Sequence, residues 1–327
     1  MTKSYLVTGG TGFIGSAVVK RLLQCGARVR VLDNNSRGHE RKLGGAASDV
    51  EICVGDIRDP AAVSRAVRGA DCVCHLAYVN GTEFFYTHPD LVLDVAVKGM
   101  MNVLDACRTH GVGELVLASS SEVYQTPPTV PTPEDVPLVV PDLLNPRYSY
   151  GGGKIISELL AVNFGRKHFN RAVIFRPHNV YGPDMGHEHV IPQFADRFRE
   201  LSAAHPRGRV PFPIQGTGEE TRAFIYIDDA AEAMVRVIEQ GRHLTVYHVG
   251  RQEEIRVADV VHDVARWFGR EAEVVPGPLQ PGSTARRCPD VTRLTALGFR
   301  PRVTFAEGLA ATLTWYTAQP HRTPHVA

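Results

Sequence analysis

The sequence predicts an α/β fold in which a doubly wound parallel sheet is followed by a smaller C-terminal α/β cap. In the first half, short apolar segments alternate with segments of helical periodicity, and the connections between them are short. This pattern is typical of a parallel sheet covered by helices on both faces. A glycine-rich stretch joins the first strand to the first helix. After about residue 178 the composition shifts to Pro, His and Gly, which indicates a region of different construction.

Each element of the sheet domain is predicted by a pattern of its own. The run SYLVT predicts a strand at Ser4–Thr8, and FIGSAVVKRLLQCG has helical periodicity closed by Gly26. Later strands are expected at 27–33, 51–56, 72–77 and 114–120, and helices at 59–70 and 90–111. Strands at 172–176 and 245–250 would extend the sheet.

The same patterns suggest a division into domains. We expect the sheet domain over 1–177, completed by about 221–250. Segments 178–220, with loops around a short helix, and 251–315 are expected to form the cap. Residues 316–327 are expected to be a disordered tail.

Composition excludes several classes of protein. The chain has 327 residues, with 36 Lys and Arg against 35 Asp and Glu, so its formal net charge is +1. Nucleic acids and anionic membranes reward a basic surface, and this balance offers no global one. No run approaches the roughly 20 apolar residues that span a bilayer. The N-terminus has no signal-peptide pattern, so we expect a cytoplasmic protein.

The residues that most often bind metals do not form a metal-site pattern. The six cysteines lack CxxC-type spacing and are expected to be buried structural thiols; they are Cys25, Cys53, Cys72, Cys74, Cys107 and Cys288. His187 and His189, with Glu188 between them, could share one face of the chain as metal ligands, but no third ligand is apparent. We therefore expect no metal.

The glycine-rich loop predicts a dinucleotide site of Rossmann type. Gly9, Gly12 and Gly15 permit a tight turn and a close approach to a pyrophosphate, which the N-terminus of the following helix would bind. Asp33 ends the second strand, where a carboxylate accepts hydrogen bonds from the adenosine ribose. A carboxylate there also repels a 2′-phosphate, which favours NAD over NADP.

Two neighbouring residues bear on this site. Arg37 is close enough to contact a 2′-phosphate, but a loop arginine of this kind is expected to be solvated. Asp56 lies at the end of the third strand, where it would either contact the adenine or cap the next helix.

A tyrosine and a lysine have the spacing of a catalytic pair. Tyr150 and Lys154 share one helix face, and an ammonium group beside a phenol would lower the phenol pKa toward that of a useful general base. Three glycines at 151–153 are costly at a helix start, which suggests that a ligand lies against this backbone; a plain loop is the competing interpretation. Ser119, Ser120, Ser121 and Glu122 follow a strand, where hydroxyls would face the ligand crevice.

Together the segments TGGTGFIG, Asp33, HLA, SSSEVY and YxxxK resemble the extended short-chain dehydrogenase/reductase family. They are most similar to its NAD-dependent nucleotide-sugar epimerases and dehydratases. The resemblance continues through RPHNVYGP, TRAFIYIDDAAEAM and the segment 286–309, and so covers nearly the whole chain.

The resemblance implies roles for the matching residues. Tyr150 would be the general base, Lys154 its partner and a contact of the nicotinamide ribose, and Ser120 a hydrogen-bond donor to the reacting oxygen. Substrate contacts are expected at Ser121, His178, Asn179, Arg222 and one of Arg286 and Arg287, the arginines facing the phosphates or nucleoside. Cofactor contacts are expected at Gly9, Gly12, Phe13, Ile14, Gly15, Asp33, Asn34, Asp56, Ile57, Leu76, Ala77, Tyr150 and Lys154.

Three positions depart from the family pattern. Tyr78 stands where HLAA-type segments have a small residue. Ala96 and Met100 replace residues of a segment that commonly reads NVxGT, which removes a polar cofactor contact.

Several reactions could follow oxidation of the sugar hydroxyl by NAD⁺. We favour epimerisation of a nucleotide-diphosphate sugar at C4 through a transient 4-keto intermediate. Alternatives are 4,6-dehydration with Glu122 as base, and decarboxylation or simple 4-dehydrogenation. Serine at Ser121 is a poor general acid where dehydratases often have aspartate, although some related dehydratases and decarboxylases have a Ser-Glu version. Glu122 would therefore be either an elimination base or a carboxylate that orients its neighbours. A dinucleotide-sensing regulator is the non-enzyme alternative. The family resemblance also implies a homodimer through the long helices at 90–110 and 152–168.

Overall fold

The computed structural model describes residues 2–279 and 282–319. The strands are β1 Ser4–Thr8, β2 Arg28–Asp33, β3 Val50–Val54, β4 Cys72–His75, β5 Glu114–Ala118, β6 Arg171–Pro177, β7 Val180–Tyr181, β8 Val210–Pro213, β9 Thr221–Arg222, β10 Ile225–Tyr226, β11 Thr245–Val249, β12 Ile255–Arg256, β13 Ala272–Val275 and β14 Arg286–Arg287. The helices are α1 Phe13–Gln24, α2 Pro60–Val67, α3 Thr82–Thr87, α4 Pro89–Asp94, α5 Met100–His110, α6 Tyr148–His168, α7 Val190–Ala204, α8 Ile227–Gln240, α9 Val257–Trp267, α10 Thr292–Ala296 and α11 Phe305–Ala318.

Seven strands form one parallel sheet in the order β11-β6-β5-β4-β1-β2-β3. Tyr5 of β1 pairs with Val29 on one side and Cys72 on the other, so the chain order reverses around β1. The carboxyl ends of β1 and β4 therefore border a crevice, which is where such sheets bind ligands. The predicted doubly wound fold is confirmed.

Helices cover both faces of this sheet, because its strands are apolar on both sides. On one face, Val18 of α1 and Met234 of α8 are fully buried with the sheet. On the other face, Val63 of α2 and Leu104 of α5 are equally buried. A π-helical turn, Val95–Gly99, joins α4 to α5.

A third apolar cluster lies in the region predicted as the cap. It includes Phe198 of α7, Phe212 of β8, Val261 of α9 and Leu313 of α11. The helix expected to be short, α7, has 15 residues. Strands β12, β9 and β14 form a small separate sheet.

The last helix corrects the predicted start of the tail. Residues 316–318 were expected to be disordered, but α11 continues to Ala318 because Tyr316 is buried against the cap. A capping box between Thr304 and Glu307 fixes its start. Residues 320–327 lie outside the described residues.

The structure also shows how far the cysteines are buried. Cys25 is exposed and Cys53 is half-buried, so the expectation of buried thiols is wrong for these two; the other four are buried. Within 2–279 and 282–319, no group of three metal-binding side chains has the geometry of a metal site. No helix in these ranges is long and apolar enough to cross a membrane.

Candidate active site

The glycine-rich loop lies at the carboxyl end of β1 and leads into α1. Gly9 has φ +74°, and a Cβ there would lie 2.7 Å from the Cα of Ala77, so only glycine fits this approach. Gly12 begins α1 without a side-chain cap. The first amides of α1, at Phe13 and Ile14, therefore lie at a helix end suited to a pyrophosphate. This loop fits a dinucleotide.

Asp33 joins this loop to the end of β2. Its carboxylate accepts hydrogen bonds from the backbone N–H groups of Thr11 (3.0 Å) and Asn35 (2.9 Å). The acid is thus held beside the glycine loop, where a ribose would lie if a dinucleotide follows the usual path across such a sheet.

Asp56 is held by Arg58 and Asn34. The hydrogen bonds from Arg58 lower the pKa of Asp56 to about 2, and the Asn34 side chain donates a further bond at 3.1 Å. Asp56 does not cap α2, because that role belongs to Asp59. Of the two roles considered for Asp56, helix capping is therefore excluded, and the adenine contact stays a prediction.

Arg37 is paired rather than solvated. It was expected to be solvated, but its half-buried guanidinium forms an ion pair with Glu188 and lies 5.1 Å from the Phe84 ring centre. Lys42 pairs with Asp184 at 2.8 Å, again joining the segment after β2 to the loop before α7. We call these two ion pairs the clasp. Because Arg37 is paired, it is not a free guanidinium for a 2′-phosphate.

The predicted catalytic pair lies at the start of α6, with Ser120 nearby. Tyr150 and Lys154 are 8% and 3% exposed. The Lys154 Nζ donates to the Ala118 carbonyl at the end of β5 (2.7 Å). It also lies 3.8 Å from the centre of the Tyr78 ring and 6.0 Å from that of Tyr150.

The ionisation of this pair differs from the sequence-based prediction. Burial raises the pKa of Tyr150 to about 12, while a hydrogen bond with Ser120 acts to lower it. Burial also lowers the pKa of Lys154 to about 7, because Glu158 offsets little of the desolvation. Burial dominates, so the net direction for the pKa of Tyr150 is upward, opposite to the lowering expected from Lys154.

The three glycines are also explained differently from the prediction. A Cβ at Gly153 would lie 2.3 Å from the Tyr78 hydroxyl, and one at Gly151 would lie 2.6 Å from the Gln125 side chain. Both positions face protein atoms, so the expectation of a ligand against this backbone is wrong there. A Cβ at Gly152 would lie 3.5 Å from the Val140 side chain and, among the described residues, would meet no other atom within 4 Å.

Glu122 is surrounded by arginines. Burial acts to raise its pKa, but the net direction is downward because Arg287 forms an ion pair with it and Arg147 and Arg222 add positive charge. Arg222 and Arg287 are paired neighbours on β9 and β14. Burial in turn lowers the pKa of Arg222 to about 10, with Arg287 adding to the effect.

The alternation of β14 distinguishes its two arginines. Arg287 points to Glu122, whereas Arg286 is half-exposed and pairs with Glu254 on the other side. Arg287 is therefore the member of the pair that lies at the site. Arg147 joins this group although the sequence analysis did not select it; its position three residues before Tyr150 was the only signal.

Other predicted substrate contacts lie close by. Asn179 adopts φ +42° and donates to the Ala223 carbonyl (3.2 Å). His178 is buried and its ring lies 4.7 Å from that of His248. Neither ring nitrogen of His178 has a hydrogen-bond partner among the described residues. Ser121 is buried in the short turn after β5.

The backbone near β4 uses some of the predicted cofactor contacts internally. The amides of Leu76 and Ala77 donate to the Thr8 hydroxyl (3.2 Å each). Ile57 is buried against Gly99, where a Cβ would lie 2.3 Å from its Cδ1. These residues shape the crevice floor, and their cofactor contacts stay predictions.

A buried polar network behind the site was missed by the sequence analysis. Arg176 binds both carboxylate oxygens of Glu158 on α6, at 2.8 and 2.6 Å. It also contacts the hydroxyl of Tyr124, which lies 2.6 Å from His248 Nε2. The network ties α6 to β6 and β11. Long sequence separations hid it, although Tyr124 and Arg176 border segments that carry the resemblance.

Comparisons with known proteins agree with this geometry. Residues 5–250 match the model of the NAD dependent epimerase/dehydratase family. The chain is 33% identical over 322 residues to a dTDP-glucose 4,6-dehydratase of Streptomyces antibioticus, covering 95% of this chain and 91% of that protein. It is 27% identical over 326 residues to a UDP-N-acetyl-alpha-D-glucosaminuronate decarboxylase of Bacillus cytotoxicus, covering 97% and 98%. The Thermus thermophilus UDP-glucose 4-epimerase in complex with NAD superposes with TM-score 0.83 at 30% identity, covering 96% and 99%.

Proposed function

The chain belongs to the NAD-dependent epimerase/dehydratase family, and on that premise we propose that it epimerises a nucleotide-diphosphate sugar at C4. The family and its cofactor, NAD, agree with the predictions from sequence, which are thereby confirmed. Epimerisation is the finer proposal, since similar proteins include dehydratases and a decarboxylase as well as epimerases.

The observation that carries the proposal is the grouping of Ser120, Tyr150 and Lys154 at the carboxyl end of β5, in the same parallel sheet whose β1 ends at the glycine loop. Bound NAD⁺ supplies a hydride acceptor. Tyr150 would act as a phenolate and take the proton of the C4 hydroxyl, and Ser120 would hydrogen-bond the same oxygen. The Lys154 ammonium would stabilise the phenolate and so offset the burial that raises the pKa of Tyr150. The buried pair excludes water, which strengthens these interactions.

The arginine group supplies the binding site for the diphosphate. Arg147, Arg222 and Arg287 carry three positive charges around one carboxylate, Glu122. The group therefore has a net charge of +2, which balances the two negative charges of the diphosphate in a nucleotide sugar. Guanidinium groups also suit phosphate oxygens as hydrogen-bond donors. This local basic site exists within a chain whose net charge is only +1.

The state of Glu122 and Ser121 favours epimerisation over dehydration. Dehydration requires an acid that protonates the departing 6-hydroxyl and a base that removes the C5 proton. Serine is a poor acid, and the ion pair with Arg287 lowers the pKa of Glu122 and so makes it a weaker base. Epimerisation needs neither group, because the 4-keto sugar only turns over and receives the hydride on its other face.

Dehydration is the second candidate, because the similar Streptomyces antibioticus protein is a 4,6-dehydratase. The test is incubation of the purified chain with UDP-, GDP-, ADP-, CDP- and dTDP-sugars, followed by chromatographic separation of isomers and mass spectrometry. A separated isomer of unchanged mass supports the proposal. Loss of one water identifies a dehydratase, loss of carbon dioxide from a uronate identifies a decarboxylase, and loss of two hydrogens with no loss of water identifies a dehydrogenase. Cofactor-dependent partner binding without turnover would instead favour a regulator.

We further propose a homodimer through the helical segments 90–110, which comprises α4 and α5, and 152–168 of α6. Leu93 on α4 and Ile156 and Leu159 on α6 are exposed apolar side chains on these packed helices, which supports an interface there. The cytoplasmic location stays a prediction of the sequence.

A further inference from the structure

Tyr78, the residue that departs from the family pattern, lies against the catalytic pair. It follows β4 in the chain, and its ring meets the Tyr150 ring edge to face with centres 5.1 Å apart. Its hydroxyl donates to the backbone carbonyl of Tyr150 at 3.3 Å. One side chain therefore contacts both the ring and the backbone of the proposed base.

The same ring is a main partner of Lys154. The Nζ atom lies 3.8 Å from the Tyr78 ring centre, well inside the distance at which a ring face attracts an ammonium ion. Its only hydrogen bond among the described residues is to the Ala118 carbonyl. Glu158, the carboxylate that favours its charge, is already bound by Arg176 through both oxygens.

Small residues make room for this ring. A Cβ at Gly153 would lie 2.3 Å from the Tyr78 hydroxyl and 2.8 Å from the Cβ of Ala96. The aromatic residue at 78 and the small residues at 96 and 153 thus form a matched set. A larger side chain at Gly153 would displace the ring from Lys154.

We propose that Tyr78 is a positioning residue, whose ring face holds the Lys154 ammonium and whose hydroxyl holds the first turn of α6 in place. The inference rests on the proposed function, since it assigns Tyr78 to the Tyr150–Lys154 pair. Phe85 also stacks on Tyr150, with ring centres 4.7 Å apart, so the proposed base contacts two aromatic rings.

Four other ionisable groups face Lys154 and would influence its titration. They are Tyr78 from the segment after β4, His75 from β4, and Tyr150 and Glu158 from α6. Burial lowers the pKa of His75 to about 3, so it stays neutral near neutral pH. The variants of Tyr78 do not substitute the other three groups.

The test is the titration of Lys154 in the full chain saturated with NAD⁺, using carbon-13 labelled lysine and nuclear magnetic resonance. The chain has few lysines to resolve: Lys3, Lys20, Lys42, Lys98, Lys154 and Lys167. Tyr78→Phe keeps the ring, and its midpoint should equal that of the wild type. Tyr78→Leu fills the space without a ring face, and its midpoint should fall by about one pH unit.

Gly153→Ala is a second variant that displaces the ring without altering residue 78, and it should also lower the midpoint. In turnover of the sugar nucleotide, Tyr78→Leu should lose kcat about tenfold with KM unchanged, and lose activity at lower pH than Tyr78→Phe. Equal Lys154 midpoints in wild type and Tyr78→Leu would overturn the proposal. The titration needs no substrate, so a chain that turns over no sugar nucleotide would refute only the proposed function.

Discussion

Burial of Lys154 has a consequence for stability that depends on pH. Its pKa falls from 10.5 to about 7 on folding because the amine leaves water. The unfolded chain therefore binds a proton at pH values where the folded chain has released it, so raising the pH between these values stabilises the fold. Lys154→Met removes the ionisable group at nearly constant volume, and with it this pH dependence.

The two pKa values set the size of the effect. Burying Lys154 costs the wild type about 5 kcal/mol near pH 6, and the cost falls to about 2 kcal/mol near pH 9. The stability of Lys154→Met relative to wild type should therefore fall by about 3 kcal/mol across this range. The lost hydrogen bond to Ala118 contributes a constant of about 1 kcal/mol that does not affect the slope.

Urea unfolding of both proteins at the two pH values, without added NAD, measures this difference. Lys98→Met is the matched control, because Lys98 is exposed and its substitution should leave the difference unchanged with pH. Lys154→Met should also lose turnover. A stability difference that is the same near pH 6 and pH 9 would refute the burial of Lys154 as described.

Three further predictions concern the clasp, the arginine group and the dimer. Glu188→Ala breaks the ion pair with Arg37 and should release NAD about fivefold faster, since half-exposed ion pairs contribute about 1 kcal/mol. The control Glu271→Ala breaks the exposed ion pair with Arg209 and should leave the rate of NAD release unchanged. Arg287→Met should weaken binding of a nucleoside diphosphate at least about tenfold in calorimetry, because charged hydrogen bonds are worth about 1.5–3 kcal/mol, whereas the outward-facing Arg286→Met should bind normally. Leu159→Glu should yield monomers in light scattering, while Leu279→Glu should leave the dimer intact, because Leu279 is similarly exposed at 54% against 58% but lies outside the proposed interface. Unchanged NAD release in Glu188→Ala would contradict the role of the clasp, and unchanged affinity in Arg287→Met would contradict the diphosphate site. An intact dimer in Leu159→Glu would contradict the proposed interface.

The sheet and the cofactor loop were predictable because their signals are local. Apolar runs such as SYLVT mark the strands, so each strand of the seven-stranded sheet was found within a few residues of its bounds. The glycines and Asp33 act through the backbone of one strand–loop–helix unit. Tyr150 and Lys154 were found for the same reason, since four residues on one helix determine their relation.

The contacts that sequence reasoning missed join distant segments. Nothing near Arg37 in the chain indicates that Glu188 neutralises it, and the loop was therefore expected to be solvated. The glycine at 153 was attributed to a ligand because its actual neighbour, Tyr78, comes from another strand end. The pKa of Lys154 depends on how deeply the folded chain buries it, which no spacing reveals.

The most direct test of the central claim is turnover of a C4-deuterated sugar nucleotide, chosen from the panel by its product. If Tyr150 directs hydride transfer from C4 to NAD⁺ and back, the product is an isomer that keeps deuterium at C4. Tyr150→Phe should then be slower by about 100-fold or more. Deuterium exchanged with solvent or moved to another carbon, or full activity of Tyr150→Phe, would contradict the account.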